Sequence, residues 1–265
     1  MGINVFSVLG GSSPNGDVLI PHRDPGADTG SVFIQENMNL GGAVRESNIL
    51  HEFLAGNVPD FLRKFVPVTI SDENNSVTYL VMPDYLSLGT NSDYVRMPMN
   101  PHTAQSIADK YDCILPTRKM VNDIWAHAVN KLEPKPWGPP YDATMMATSR
   151  VGIHNGRIQS QLAGKDFTAL TAGHKKDVVL TNKLSPKNPN KRVAIYGWTL
   201  ASGSVIQQLN PVSHEDTYED YSHGIRLIAN DVVVNEQPMR IQDVLADTKL
   251  SALLSDEGPL TFQRY

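Results

Sequence analysis

The stretch Glu133-Pro134-Lys135-Pro136-Trp137-Gly138-Pro139-Pro140 carries four prolines in eight residues. Each proline fixes φ and removes an amide donor, so neither a helix nor a central strand can run through it, and the pattern predicts extended, polyproline-like chain. It is the strongest internal boundary in the sequence, and the patterning differs on its two sides. Upstream, Ile49, Leu50, Phe53 and Leu54 recur at helical spacing over residues 45–55, with Gly56 where a C-terminal cap belongs. Pro59 opens a second short helix that Pro67 stops, and residues 66–71 and 77–82 read as a hairpin around Asp72-Glu73-Asn74-Asn75-Ser76. Asn100 followed by Pro101 starts a helix to about Tyr111, and Thr117 caps another whose stripe is Met120, Val121, Ile124, Trp125, Ala128 and Leu132.

Downstream, a helix is expected near 152–161, then strands at 176–184, 192–199, 204–209, 224–229 and 231–235, and a closing helix near 240–254. The expected fold class is α+β, a helix-rich N-terminal half packed on a β-rich C-terminal half. Residues 1–42, rich in Gly, Ser, Pro and Asp, read as an irregular arm with at most one short strand. Residues 43–133 then form the helical and hairpin half and 141–265 the β-rich half, or the two close into one compact domain.

Composition narrows the function. The 265 residues are 40% apolar and 19% charged, which excludes a disordered chain or a coiled coil. A formal charge of -5, with no basic block longer than Lys175-Lys176, disfavours a nucleic-acid partner held through its phosphates. No apolar run approaches the roughly 18 residues that a membrane helix needs, and Met1 to Gly11 lacks the basic-then-apolar order of a signal peptide. The chain reads as soluble, with its compartment open. Cys113 is the single cysteine, so an internal disulfide and a cysteine-rich metal site are both excluded. Any metal would rest on histidines and carboxylates. No tight His-Glu-x-x-His spacing supports one, and neither metal nor cofactor is expected.

The densest chemistry lies in residues 213–226, where His214, Tyr218, Asp220, Tyr221, Ser222, His223 and Arg226 fall within one polar, aromatic segment. Imidazole titrates nearest neutrality, so two histidines flanked by phenols and carboxylates can supply a general acid and a general base. A solvated surface loop has the same composition. Arg226, at a strand mouth, suits a carboxylate or phosphate clamp and equally an ion pair with Asp220 or Glu219. A second group is Gly173-His174-Lys175-Lys176-Asp177, ahead of Val178-Val179-Leu180. If the strand begins there, Lys175 and Asp177 share one face and Lys176 takes the other. His154 is a further candidate in this half, and Tyr196-Gly197-Trp198 offers aromatic faces for a sugar or peptide, although a core edge would look alike. Cys113, near a helix N-terminus, admits a cysteine–histidine nucleophile pair with His174, against the commoner reading as a buried apolar residue.

The run Ser222-His223-Gly224-Ile225-Arg226-Leu227 resembles the Ser-His-Gly-Cys-Ile-Arg signature of the L,D-transpeptidase catalytic domain, a β-rich cell-wall enzyme. The nucleophilic cysteine is absent between Gly224 and Ile225, so the resemblance carries no mechanism across. Four blocks, 53–59, 115–121, 175–179 and 220–224, are similar to a set of uncharacterised microbial proteins, and this resemblance implies no activity. The expectation is a hydrolase or related transferase acting on a polymeric, peptide-like or cell-wall-type substrate. His223 is its general acid or base, assisted by His214, Tyr218 or Tyr221 and by Asp177. Asp220 orients a histidine, Lys176 or Arg226 steadies negative charge, and Ser222, Tyr196, Trp198, His154 and His174 contact substrate. The alternative is a non-enzymatic virion, surface or assembly protein that docks through its N-terminal arm. A homo-oligomer is compatible with either.

Overall fold

A computed structural model describes residues 19–184 and 192–265. Residues 1–18 of the expected arm lie outside them. Residues 19–42 are less irregular than their composition implies. They contain helix α1 (Gly30–Glu36), whose Phe33 and Ile34 enter the main core. Ahead of it the Arg23 guanidinium donates to Asn57 Oδ1 at 2.8 Å and to the Asp28 carbonyl at 3.1 Å, fastening this stretch to the body. An apolar face only two residues wide is too narrow to stand out as a periodic signal.

The next elements follow the local rules. Helix α2 (Gly42–Leu54) buries Ile49 and Phe53, and a 3-10 turn over Asp60–Arg63 precedes the hairpin of β1 (Val66–Ser71) and β2 (Ser76–Val81). Asp72 closes that hairpin, its carboxylate accepting the amides of Asn74 and Asn75. Short strands β3 (Ser87–Gly89) and β4 (Tyr94–Arg96) pair with each other. Asn100 caps α3 (Pro101–Lys110) through the amides of His102 and Thr103, and Thr117 caps α4 (Arg118–His127) through that of Met120. Between these helices lies β5 (Cys113–Ile114), and after α4 comes β6 (Asn130–Lys131).

The proline-rich stretch has no regular structure, and helix α5 (Thr148–Gln159) follows it. Then come β7 (Thr171–Ala172), β8 (Lys176–Val178), β9 (Ile195–Thr199), β10 (Val205–Asn210), β11 (His223–Gly224), β12 (Ile228–Val234), β13 (Gln237–Arg240) and α6 (Ile241–Ala246). The fold is α+β: four of the six helices among the described residues precede the prolines, and one sheet, ordered β10-β9-β8-β11, comes wholly from the C-terminal half. A five-stranded sheet draws on both halves. Its order is β1-β2-β12-β13 with β5 also on β12, so Tyr79 of the early hairpin pairs with Val232. The largest apolar cluster accordingly runs from Ile20 to Leu260.

Strands expected at 224–229 and 231–235 are drawn differently. The chain pairs briefly at β11, passes residues 225–227 whose carbonyls accept from Leu86 and Met82, and then runs as the single strand β12. Closing helix α6 is short and a 3-10 turn over Ser251–Leu253 follows it.

Gly224 is the tightest point of this arrangement, since a Cβ there would sit 2.6 Å from the Tyr85 ring and 2.7 Å from Lys175 Cβ. Gly156, on the open face of α5, has nothing nearby. Gly224→Ala should therefore lower stability in urea unfolding by about 1–3 kcal/mol through overpacking. Gly156→Ala should raise it by about 0.5–1 kcal/mol. Equal effects of the two substitutions would contradict this packing.

Candidate functional site

Strands β8 and β11 run parallel, with His223 opposite Lys176 and Gly224 opposite Asp177. The amide of Lys176 donates to the Ser222 carbonyl at 2.8 Å. This pairing brings the 173–177 stretch against the end of the 213–226 segment. Alternation along β8 turns Lys175 and Asp177 inward, and both are buried, while Lys176 is partly exposed with Nζ 4.6 Å from the centre of the Trp198 ring. Gly173 sets the entry to the strand. At φ +103° it occupies a region that L side chains avoid, and a Cβ would meet the carbonyls of Leu132 and Thr199.

Around His223 the residues form a layered group. The His214 and Tyr218 rings stack at 3.9 Å and 8°, and Tyr218 meets His223 edge-on at 5.6 Å. The Tyr218 hydroxyl donates to Asp220 Oδ2 at 2.9 Å, while the Ser222 amide and hydroxyl both donate to Oδ1. Burial would raise the Asp220 pKa, but the neighbouring His223 and Lys176 and the Ser222 hydrogen bonds hold it well below the usual carboxylate range. His223 itself is fully buried. Burial lowers its pKa to about 4 against the pull of Asp220, so the imidazole is neutral near pH 7 and able to accept a proton.

A second buried group centres on Asp84. Asp84 accepts from the Arg96 guanidinium at 3.0 Å and sits 3.2 Å from His174 Nε2, all three buried. Burial opposes ionisation of Asp84, but the Arg96 and His174 charges hold it ionised far below the ordinary range. His174 is lowered to about 4 by burial, and its ring meets Tyr85 edge-on at 4.9 Å. His154, on α5, is held neutral by burial and by Lys175, and it packs 5.0 Å from the Tyr221 ring. Lys175 stands between the two groups. Its Nζ donates to the Tyr221 carbonyl at 2.6 Å, and burial reinforced by Arg96 lowers its pKa to about 7. Tyr221 also links the proline-rich stretch to the site, since its hydroxyl accepts the Trp137 amide at 2.7 Å and the two rings meet at 5.6 Å.

Beside this cluster is a small hollow, with room for about one water molecule. Its lining includes Tyr85, Trp125, Lys175, Asp177, Trp198 and Arg226. The Tyr85 hydroxyl donates to Asp177 Oδ2 at 2.8 Å, and burial raises the Asp177 carboxyl to about 7 against the opposing Arg226 charge. Trp198, whose indole donates to the His174 carbonyl at 3.1 Å, holds a left-handed φ of +58° that is unusual for a bulky residue.

The structure thus gathers His154, His174, Lys176, Asp177, Trp198, Tyr218, Asp220, Tyr221, Ser222 and His223 into contiguous groups, with His214 stacked over them. Tyr196 is apart, donating to Asn122 Oδ1 and packing with Val121 and Val179. Arg226 makes neither expected ion pair. Its guanidinium donates to the carbonyls of Met82 and Thr171 and lies over the Tyr85 ring, while Glu219 pairs with Arg45. Cys113 lies on β5, its thiol donating to the Tyr111 carbonyl and kept protonated by burial and by Asp112, with no link to His174 among these contacts. Among the described residues no group of three His, Cys, Asp or Glu side chains is placed to hold a metal ion. Nor is any described helix long and apolar enough to cross a membrane. Sequence reading passes over Asp84, Tyr85 and Arg96 as site residues, because nothing local distinguishes them. Lys175 was signalled by its shared face with Asp177.

No protein-family profile, no curated protein and no solved structure matches the chain.

The buried imidazoles make stability depend on pH. Between about pH 4.5 and 6.5 the unfolded chain protonates His154, His174 and His223 while the folded chain does not, so folding gains as pH rises. Asp177 acts in the opposite sense, keeping its proton in the fold up to about 7. Glu46, raised by burial, acts in the same sense as Asp177, and three imidazoles outweigh these two carboxyls. Urea unfolding should show stability rising by about 1–2 kcal/mol per pH unit over this window, with a shallower slope in His223→Gln. A flat or falling profile would contradict the burial of these rings.

Proposed function

We propose that the chain is a hydrolase or related transferase working by acid–base chemistry at His223 on a polymeric, peptide-like substrate of the cell-wall type. The observation that carries this reading is a neutral, fully buried imidazole in the field of an ionised carboxylate that three hydrogen bonds fix. His223 is lowered to about 4, while Asp220 is held by the Ser222 amide, the Ser222 hydroxyl and the Tyr218 hydroxyl. In this reading a water gives its proton to His223 as its oxygen attacks the substrate carbonyl carbon. Asp220 stabilises the imidazolium that forms, and the imidazolium then returns the proton to the leaving group. Lys176, close enough to feel the Asp220 charge, is a cation available to steady developing negative charge.

His223 has no exposed surface, so substrate reaches it when the 211–219 segment moves. That segment is held by the His214–Tyr218 stack, the Val193 amide on the His214 carbonyl at 3.2 Å, a bridge between Arg192 and Glu215 and His102 on Asp216 at 2.6 Å, and the buried Arg45–Glu219 ion pair fixes its C-terminal end. The partial Ser-His-Gly-Ile-Arg likeness, with the partly exposed Trp137 ring packed beside Tyr221, supports an extended peptide-like substrate over a small metabolite.

Purified peptidoglycan and synthetic stem peptides, assayed by mass spectrometry of released products, test this. Wild type should turn over at least one of them, and His223→Gln and Asp220→Asn should each slow it by about 10²–10³-fold while remaining folded. Undiminished turnover in His223→Gln, or a wild type inert toward all of them, would overturn the reading.

A further inference from the structure

Lys175 is a cation withdrawn from water. Its side chain is fully buried, its Nζ carries three protons when ionised, and among the described residues the one hydrogen bond it makes is to the Tyr221 carbonyl. Among the described residues no carboxylate lies within ion-pair distance of it. The two carboxylates in its neighbourhood are already committed: Asp84 to Arg96, His174 and the Tyr85 amide, and Asp220 to Ser222 and Tyr218. Among the described residues Trp125 Nε1 and Arg226 Nε, both on residues that line the hollow, also lack hydrogen-bonding partners. Buried polar groups are normally satisfied, and around the hollow the unpartnered ones are donors.

The hollow makes the missing partner's chemistry specific. Lys175 and Arg226 line it, and its one carboxyl, Asp177, is engaged by the Tyr85 hydroxyl. Burial leaves Asp177 largely protonated below pH 7, so it repels an incoming anion little. We propose that this hollow, with Lys175 at its wall, is the seat of an acidic oxygen of the ligand, belonging to a carboxylate or a phosphoryl group. The hollow admits the oxygen end and the rest of the ligand extends away over the Trp198 and Trp125 rings. The inference deepens the acid–base reading by naming the group that substrate presents beside His223, yet anion binding can be measured without turnover.

The probes are sodium formate and inorganic phosphate, compared with chloride at equal ionic strength, on the full chain at pH 7 by thermal unfolding and isothermal titration. One or both anions should raise the wild-type melting temperature, as a ligand of the folded state must. A response to formate alone assigns a carboxylate, and one to phosphate alone a phosphoryl group. Lys175→Met, which keeps the volume and removes the charge, should melt at least as high as wild type without anion, because a buried lysine with one neutral acceptor costs stability. It should lose the anion-dependent rise. Asp177→Asn, which leaves Lys175 in place, should keep the anion-dependent rise. A wild type indifferent to both anions, an unaltered rise in Lys175→Met, or loss of the rise in a folded Asp177→Asn would each overturn the proposal.

Discussion

Two backbone pairings, His223 with Lys176 and Gly224 with Asp177, join the C-terminal polar segment to the strand that carries the buried lysine. The position of the His223 and Asp220 group against Lys175 and Asp177 depends on that short parallel contact. Parallel pairing requires a long return path between the strands, and here it takes β9, β10 and the 211–222 loop to supply it. Gly224 lets the two strands approach closely enough that the Tyr85 ring and Lys175 fill the space beside it. A larger residue at that point would separate the imidazole group from the lysine.

The cost of this arrangement is concentrated in desolvation. Arg96, Asp84, Lys175, Asp177, Asp220 and Arg226 are all withdrawn from water within one region. The fold offsets part of that through Asp84–Arg96, through the carbonyls that receive Arg226, and through the hydroxyls that hold Asp220. Among the described residues it leaves the lysine ammonium with one neutral acceptor and the His154 and His223 rings without hydrogen-bonding partners. A core selected for stability alone would place apolar groups there, since buried ionic groups seldom improve on well-packed hydrocarbon. Their retention beside a small hollow is the pattern of a site in which protonation states are set for use.

Much of the framework could be read from local signals. The hairpin closed by Asp72 and the caps at Asn100 and Thr117 lie where turn and cap chemistry put them. That Lys175 and Asp177 share a face followed from strand alternation, but which face turns inward did not, and Lys176 rather than Lys175 was the expected site residue. Strands β3 to β7 escaped notice because two or three residues cannot establish a period, and α1 because its apolar face is Phe33 and Ile34 only. At the site, the crowded 213–226 segment announced itself by composition. The partners of Arg226 did not, being backbone carbonyls 144 and 55 residues away that bear no side-chain signature. Asp84 and Arg96 were equally silent, since a buried ion pair is made by tertiary closure rather than by any pattern along the chain.

The central claim is that the β8–β11 contact holds His223 dry and neutral beside an ionised Asp220. A titration of the His223 ring by NMR, following its Cε1–H signal and assigned by comparison with His223→Gln, addresses this most directly. A midpoint near 4, with the neutral ring persisting through pH 6, is the result this arrangement requires. A midpoint near the ordinary 6.5 of free imidazole would mean that water reaches the ring, and the claim would fail.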